Sequence, residues 1–100
     1  MRIRKNLNIE KEEETIFLAE IASALSHPVR IAILHYVNSK KKLCNKDLVE
    51  NFTYSQPSIS QHIKKLKDVG LLNVTYSNRF SIYKINKELL KQYRSNLRNI

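Results

Sequence analysis

The chain contains a single glycine, Gly70, and its position separates two differently patterned parts of the sequence. Before Gly70, apolar residues recur every three or four positions, as they do in amphipathic helices. Directly after it, apolar and polar residues alternate in the manner of strands. One glycine also excludes the glycine-rich phosphate loops of Walker and Rossmann type, which need several glycines close together. The sequence therefore predicts a mainly helical domain with a small β-hairpin and no α/β nucleotide site.

Two helices are expected in the first part of the chain. The first covers about residues 10–25, and its acidic start opposes the positive end of the helix dipole. Apolar residues occupy more than one of its faces, which indicates that it buries a second surface. The next helix, 29–38, follows Pro28 and has Ser26 or His27 as its cap. Because it is apolar nearly all round, we expect it to be the core helix.

Two further helices precede Gly70. A short one is predicted over residues 46–52, and a longer one over residues 56–69 with a capping serine before it. Gly70 provides a left-handed stop, and Leu71 is placed to pack on Leu66 in a Schellman motif. The end of this fourth helix is thus well defined by sequence.

A β-hairpin is expected over residues 72–85. With its tip at 78–79, one sheet face pairs Leu72, Val74 and Tyr76 with Ile85, Tyr83 and Ser81, and we expect that face to be the buried one. Asn86 then caps a last helix that extends to about residue 99. A short helix, a tight break, a polar-faced helix and a hairpin follow one another in the order of a winged helix-turn-helix. We expect residues 1–9 to form a flexible basic tail and residues 10–100 to form a single domain.

The positive charge is concentrated in the second half of the chain. Eighteen Lys and Arg residues stand against nine Asp and Glu, for a formal net charge of +9. Residues 53–100 hold nine of the basic side chains but only two of the acidic ones. Such an excess favours a polyanionic partner.

The fourth helix has a polar face that suits double-stranded DNA. Short hydroxyls and amides near its start can reach base edges in a major groove, and lysines further along suit phosphates. Its richness in serine lowers helix propensity, which indicates a reason for these residues other than helix stability. The candidate DNA-binding residues are Gln56, Pro57, Ser58, Ser60, Gln61, Lys64 and Lys65, together with Arg79 at the hairpin tip. His62 lies nearer the core boundary, where we expect a packed or phosphate-touching residue.

Two segments resemble the ArsR/SmtB family of repressors: residues 24–34 (ALSHPVRIAIL) and residues 55–72 (SQPSISQHIKKLKDVGLL). The resemblance covers about residues 15–95. It implies a homodimeric winged-helix repressor of DNA whose first and last helices form the dimer interface. On this chain the implied interface residues are Phe17, Leu18, Ile21, Leu89, Leu90, Tyr93 and Leu97. It further implies that Gln56, Ser58, Ser60 and Gln61 read DNA, and that an inducer, here unidentified, ends repression.

The chain departs from the metal-sensing members of that family. Their Cys-x-Cys motif is reduced to Cys44, with Lys46 in place of the second thiolate, and a single thiolate beside an ammonium is a poor site for soft metals. The last helix contains no His, Asp or Cys. We expect His35 to be a packed structural residue. The prediction is a repressor with no metal site and no cofactor.

Other functional classes remain open from the sequence. A winged helix can instead serve as a protein-binding adaptor or antitoxin, and the same lysines can bind nucleic acid without sequence preference. An enzyme is not expected, because no nucleophile, base and orienting group stand at a plausible spacing. The longest aliphatic run, residues 31–34, is far below the about 20 residues of a membrane span, and no signal peptide is apparent. With its single cysteine, the chain is expected to be cytoplasmic and not associated with a membrane.

Overall fold

The computed structural model describes residues 9–39, 47, 56–77 and 80–100. Within these ranges the chain forms four helices and one antiparallel hairpin that precedes the last helix. The elements are α1 (Ile9–Ala24), α2 (Pro28–Ser39), α3 (Gln56–Asp68), β1 (Leu72–Ser77), β2 (Phe80–Ile85) and α4 (Lys87–Arg98). The predicted short helix over 46–52 lies outside the described residues except for Asp47, which is helical. The mainly helical fold with a β-hairpin is confirmed.

The turn between α1 and α2 is closed by two side-chain hydrogen bonds. The Val29 N–H donates to His27 Nδ1 at 3.2 Å, so His27 is the cap of α2. The Ser26 hydroxyl donates to the Ser23 carbonyl at 2.6 Å, which satisfies a carbonyl at the end of α1. No single helix in the described part of the chain is long and apolar enough to cross a membrane. Taken together, α1 from Glu12 and α2 have the necessary length and composition, but they are bent by 87° at their break.

Helix α2 buries one face rather than its whole circumference. Val29, Ile33, Leu34 and Val37 are buried, whereas Ile31 is 40% exposed. His35 is exposed as well, so its prediction as a packed structural residue is wrong. An apolar composition all round does not show which face of a helix meets the core, because neighbouring elements decide that.

Helix α3 ends in the predicted Schellman motif. The Leu71 N–H donates to the Leu66 carbonyl at 3.0 Å, and the Gly70 N–H donates to the Lys67 carbonyl at 2.9 Å. Gly70 has a φ of 84°, in the left-handed region. Leu66 and Leu71 are both fully buried, so the apolar contact that accompanies the motif is present.

The hairpin has the predicted register. Leu72 pairs with Ile85, Val74 with Tyr83, and Tyr76 with Ser81. Leu72, Ser81 and Tyr83 are buried on this face, but Tyr76 is 72% exposed because it lies towards the tip, away from the core. At the base of the hairpin, the Asn86 N–H donates to the Leu71 carbonyl at 2.9 Å.

The last helix packs against the core. As predicted, Asn86 caps α4, since its Oδ1 accepts from the Leu89 N–H at 3.2 Å. Helix α4 packs against α1, and α2 packs against both α3 and β2. The buried apolar core thus joins every described element except α4, which contributes half-buried residues. Its members are Ile21, Ala24, Val29, Ile33, Leu34, Val37, Ile59, Ile63, Leu66, Leu71, Leu72 and Tyr83.

Substituting Gly70→Ala should destabilise the protein by about 1–2 kcal/mol, the cost of holding a non-glycine residue in the left-handed region. A Cβ at this position would meet the Leu89 Cδ2 at 3.6 Å, an ordinary contact, so no steric penalty is added. Urea unfolding measures the change as a shift of the midpoint at constant slope. Gly70→Asn is the matched control and should lose less stability than Gly70→Ala, because asparagine tolerates the left-handed conformation better than alanine. Equal losses in both variants would contradict a conformational cause.

Candidate nucleic-acid interface

Helix α3 separates an apolar face from a polar one. Ile59, Ile63 and Leu66 are buried against the rest of the chain. Of the predicted DNA-binding residues on this helix, four are exposed: Pro57, Ser60, Gln61 and Lys64. Ser58 and Lys65 are half-buried, and Gln56 is the first residue of the helix. A polar face therefore remains available to solvent over the length of the helix.

The exposed face of α3 carries both signs of charge near its C-terminal end. Lys64 Nζ lies 2.8 Å from Asp68 Oδ2, with side-chain exposures of 74% and 56%. An exposed pair one helical turn apart contributes little to stability, about 0.3–0.5 kcal/mol. Lys65 and Lys67 lie in the same last turn of the helix. The net charge of this end of α3 is therefore positive, with one carboxylate that partly offsets it.

The hairpin lies beside α3 and adds a second edge to the polar surface. A shallow groove of about 150 Å³ runs between them and is lined by Ser60, Ile63, Lys64, Lys67, Val74, Tyr76 and Tyr83. Tyr76 projects a largely exposed aromatic ring at this edge. Alternation along the strand assigned Tyr76 to the buried face, so its exposure was not predicted. The one sequence feature that could have indicated this exposure is the position of Tyr76 close to the hairpin tip. Arg79, predicted at that tip, lies outside the described residues.

A cluster of two histidines and an arginine connects α3 to the α1–α2 turn. The Arg30 Nε–H donates to His62 Nδ1 at 3.2 Å. The rings of His27 and His62 lie with centroids 4.4 Å apart and planes inclined by 50°. Arg30 also donates from Nη1 to the carbonyls of Ser23, at 3.2 Å, and Ala24, at 3.5 Å. His62 is thus half-buried and packed, one of the two roles predicted for it.

This environment changes the titration of His62. Desolvation by burial lowers the pKa of His62 most, and the electrostatic influence of His27 and of the Arg30 guanidinium lowers it further. A histidine whose folded pKa lies below its ordinary value adds stability in its neutral form. That contribution is present above about pH 6.5 and is lost as the pH falls through the lower folded pKa.

The predicted dimer residues divide into buried and accessible ones. Ile21 is 2% exposed and belongs to the core of the single chain, so it has almost no surface left for a partner. Phe17, Leu89, Leu90 and Tyr93 are half-buried and pack against the core. Leu18 is half-buried without being part of that packing, and Leu97 is 44% exposed. Among the predicted dimer residues, Leu18 and Leu97 are therefore the ones left most accessible to a partner.

Comparison with known proteins identifies the family. The sequence profile of the bacterial regulatory protein, ArsR family, matches residues 27–74. The arsenical resistance operon repressor of Staphylococcus xylosus is 38% identical over 80 residues, which are 80% of this chain and 76% of that protein. The chain belongs to the ArsR family.

Solved structures of known proteins have the same fold. An ArsR-like transcriptional regulator from Rhodococcus sp. RHA1 superposes with a TM-score of 0.76 at 22% identity, covering 85% of this chain and 79% of that one. NolR from Sinorhizobium fredii superposes with a TM-score of 0.73 at 25% identity, covering 92% of each chain. With the homologous repressors, these findings establish a sequence-specific DNA-binding transcriptional regulator with a winged helix-turn-helix.

This ArsR-family regulator shows no cluster of three or more His, Cys, Asp or Glu side chains that could hold a metal within the described residues. Cys44, the residue that corresponds to part of the family's thiolate motif, lies outside them. Of the histidines, His27 and His62 contact each other, and His62 also accepts a hydrogen bond from Arg30. His35 stands apart as an exposed residue of α2.

Asp68→Asn should tighten binding to DNA by a few-fold, because it removes a negative charge from the exposed face of α3 and releases Lys64 from its ion pair. The effect should be similar on all DNA sequences, since only phosphate attraction changes. Fluorescence anisotropy with a labelled duplex at low salt measures it. Glu88→Gln, which removes one negative charge from the first turn of α4, is the matched control and should change affinity less. Unchanged or weaker binding by Asp68→Asn would contradict the placement of this face against DNA.

Proposed function

We propose that this regulator is a homodimeric repressor that works in the cytoplasm and reads an inverted-repeat operator through α3. The observation that carries the proposal is the polar face of α3, which stays exposed while Ile59, Ile63 and Leu66 on its other side are buried. Two-fold symmetry would present two copies of α3 to successive major grooves about 34 Å apart.

The residues divide into base-reading and phosphate-binding groups. Gln61, at the exposed centre of the helix, has an amide that can bond two atoms of an adenine edge. Lys64 and Lys65 lie further along and suit phosphates. Gln56, Pro57, Ser58 and Ser60 complete the base-reading group. Arg79, which the sequence predicts at the tip of the hairpin, would enter a minor groove or contact phosphate.

Affinity capture of genomic fragments by the purified chain tests the proposal. The experiment is run at about 150 mM salt, where non-specific phosphate binding is weak. Enrichment of one inverted repeat is the expected result. Uniform retention of all fragments by a folded dimer would contradict it and favour nucleic-acid binding without sequence preference. No retention would contradict it and favour a protein partner. Added zinc or arsenite should leave the capture unchanged, and metal-induced release would contradict the proposal that no metal is sensed.

Gln61→Ala and Lys65→Ala should affect binding in different ways. The first should cost about 1–3 kcal/mol on the operator and relax preference at one base position, because alanine has no amide to bond a base edge. The second should weaken operator and scrambled DNA alike and lower the salt slope by about one for each phosphate that is no longer neutralised. Binding titrations with both duplexes at several salt concentrations separate these outcomes. Identical behaviour of the two variants on both duplexes would contradict the assignment of roles.

Dimerisation is proposed to cover Leu18 and Leu97, the most accessible of the predicted interface residues. Size exclusion with light scattering should give a mass near twice 11.8 kDa. Leu97→Glu should shift the mass towards that of the monomer, because a charge is placed in the apolar contact. Thr75→Glu adds the same charge on the exposed hairpin and should leave the dimer intact. A monomeric wild type, or a dimer unaffected by Leu97→Glu, would contradict this interface.

A further inference from the structure

The burial of one stripe of α3 does not by itself define how the helix is rotated about its axis. Apolar burial is non-directional, so Ile59, Ile63 and Leu66 can remain buried through a range of small rotations. A hydrogen bond is directional and weakens when its geometry is distorted. The contact of Arg30 with His62 is such a bond, and it lies at the edge of the buried stripe. His62 adjoins Gln61 on the helix, so the same contact controls where Gln61 points.

Arg30 is itself held in place by two other elements. Its Nη1 donates to the Ser23 and Ala24 carbonyls at the end of α1, while its Nε donates to His62 on α3. The guanidinium therefore joins α1, α2 and α3 at one point. On the other side of His62, the ring of His27 contacts it at a centroid distance of 4.4 Å. His27 is in turn oriented by the hydrogen bond that its Nδ1 accepts from the Val29 N–H.

We propose that Arg30 and His27 are positioning residues that hold α3 in its DNA-reading orientation through His62, and that this hold requires a neutral His62 imidazole. Only a deprotonated Nδ1 can accept the Arg30 Nε–H. A proton at that atom turns the acceptor into a donor and places a positive charge against a permanent one. Acid therefore releases the contact and lets α3 rotate. The inference rests on the proposed reading role of α3.

Protonation of His62 is opposed by the groups around it. Within the described residues, the groups that act on it electrostatically are His27, from the α1–α2 turn, and the Arg30 guanidinium, from α2. Both disfavour the protonated ring. Helix α1 presents the Ser23 and Ala24 carbonyls to this cluster, and these are bonded to Arg30. Burial also lowers the pKa of His62, in agreement with a neutral ring in the folded protein.

The expected change of DNA affinity with falling pH has the opposite sign to the change that added positive charge alone would cause. Protonation of any histidine makes the chain more cationic, which by itself strengthens binding to DNA as the pH falls. Loss of the proposed contact weakens binding over the same pH range, because base-reading side chains need a well-defined direction. A loss of operator affinity in acid therefore cannot come from the added charge.

The first experiment compares operator affinity of the full chain at about pH 7.5 and about pH 5.5, on either side of an ordinary histidine pKa. The wild type should bind the captured inverted repeat about five- to tenfold more weakly at the lower pH. His62→Gln should lose this dependence, because an amide oxygen accepts from Arg30 without titrating. His62→Leu should bind weakly at both values, and His35→Gln should keep the dependence of the wild type. Tighter binding by the wild type in acid, or an unchanged fall in His62→Gln, would overturn the proposal.

A second experiment needs no operator and so separates this inference from the proposed function. Histidine ring and backbone amide NMR signals of the free protein are followed from about pH 8 to about pH 5. His62 should titrate below the ordinary range, Arg30→Gln should raise its pKa, and the amides of Gln61 and Lys64 should shift with the same midpoint. An ordinary His62 titration, or α3 amides that do not follow it, would overturn the proposed hold whatever DNA the protein binds.

Discussion

Burial of the stripe formed by Ile59, Ile63 and Leu66 is the interaction on which the rest of the structure depends. Each of these side chains is worth about 1.5–3 kcal/mol when removed from water. Together they fix which side of α3 meets α2 and the hairpin and which side remains in solvent. The polar surface that we propose to read DNA is therefore the part of α3 that core packing leaves exposed. The same helix therefore supplies both the buried apolar face and the exposed polar face.

The end of α3 transmits that placement to the hairpin. Gly70 reverses the chain in a left-handed conformation, and Leu71 and Leu72 enter the core directly after it. The Leu71 carbonyl accepts a hydrogen bond from the Asn86 N–H at the base of the hairpin, so the start of β1 and the end of β2 are joined next to the C-terminal end of α3. The hairpin is thus connected to α3 both through Gly70 and through this hydrogen bond. A groove bounded by both elements forms part of the polar surface.

Charge acts on this surface at two levels. The excess of Lys and Arg beyond residue 53 supplies a general attraction for phosphates. The pair between Lys64 and Asp68 is local and exposed, so it moderates that attraction without much effect on stability. The contact between Arg30 and His62 is different, because it is partly buried and joins separate helices. Only the last of these couples the protonation of a side chain to the position of a helix.

By itself, the sequence determined the features that depend on neighbouring residues. The Schellman stop at Gly70, the Asn86 cap and the hairpin register follow from local backbone chemistry and were predictable for that reason. The polar face of α3 could also be read from helical periodicity. Tertiary structure alone decided that His35 is exposed, that Tyr76 lies outside the core and that Ile21 is buried within the core. It also brought Arg30 to His62 across 32 positions of sequence. Periodicity identifies the faces of an element, but which face is covered depends on how distant elements pack against it.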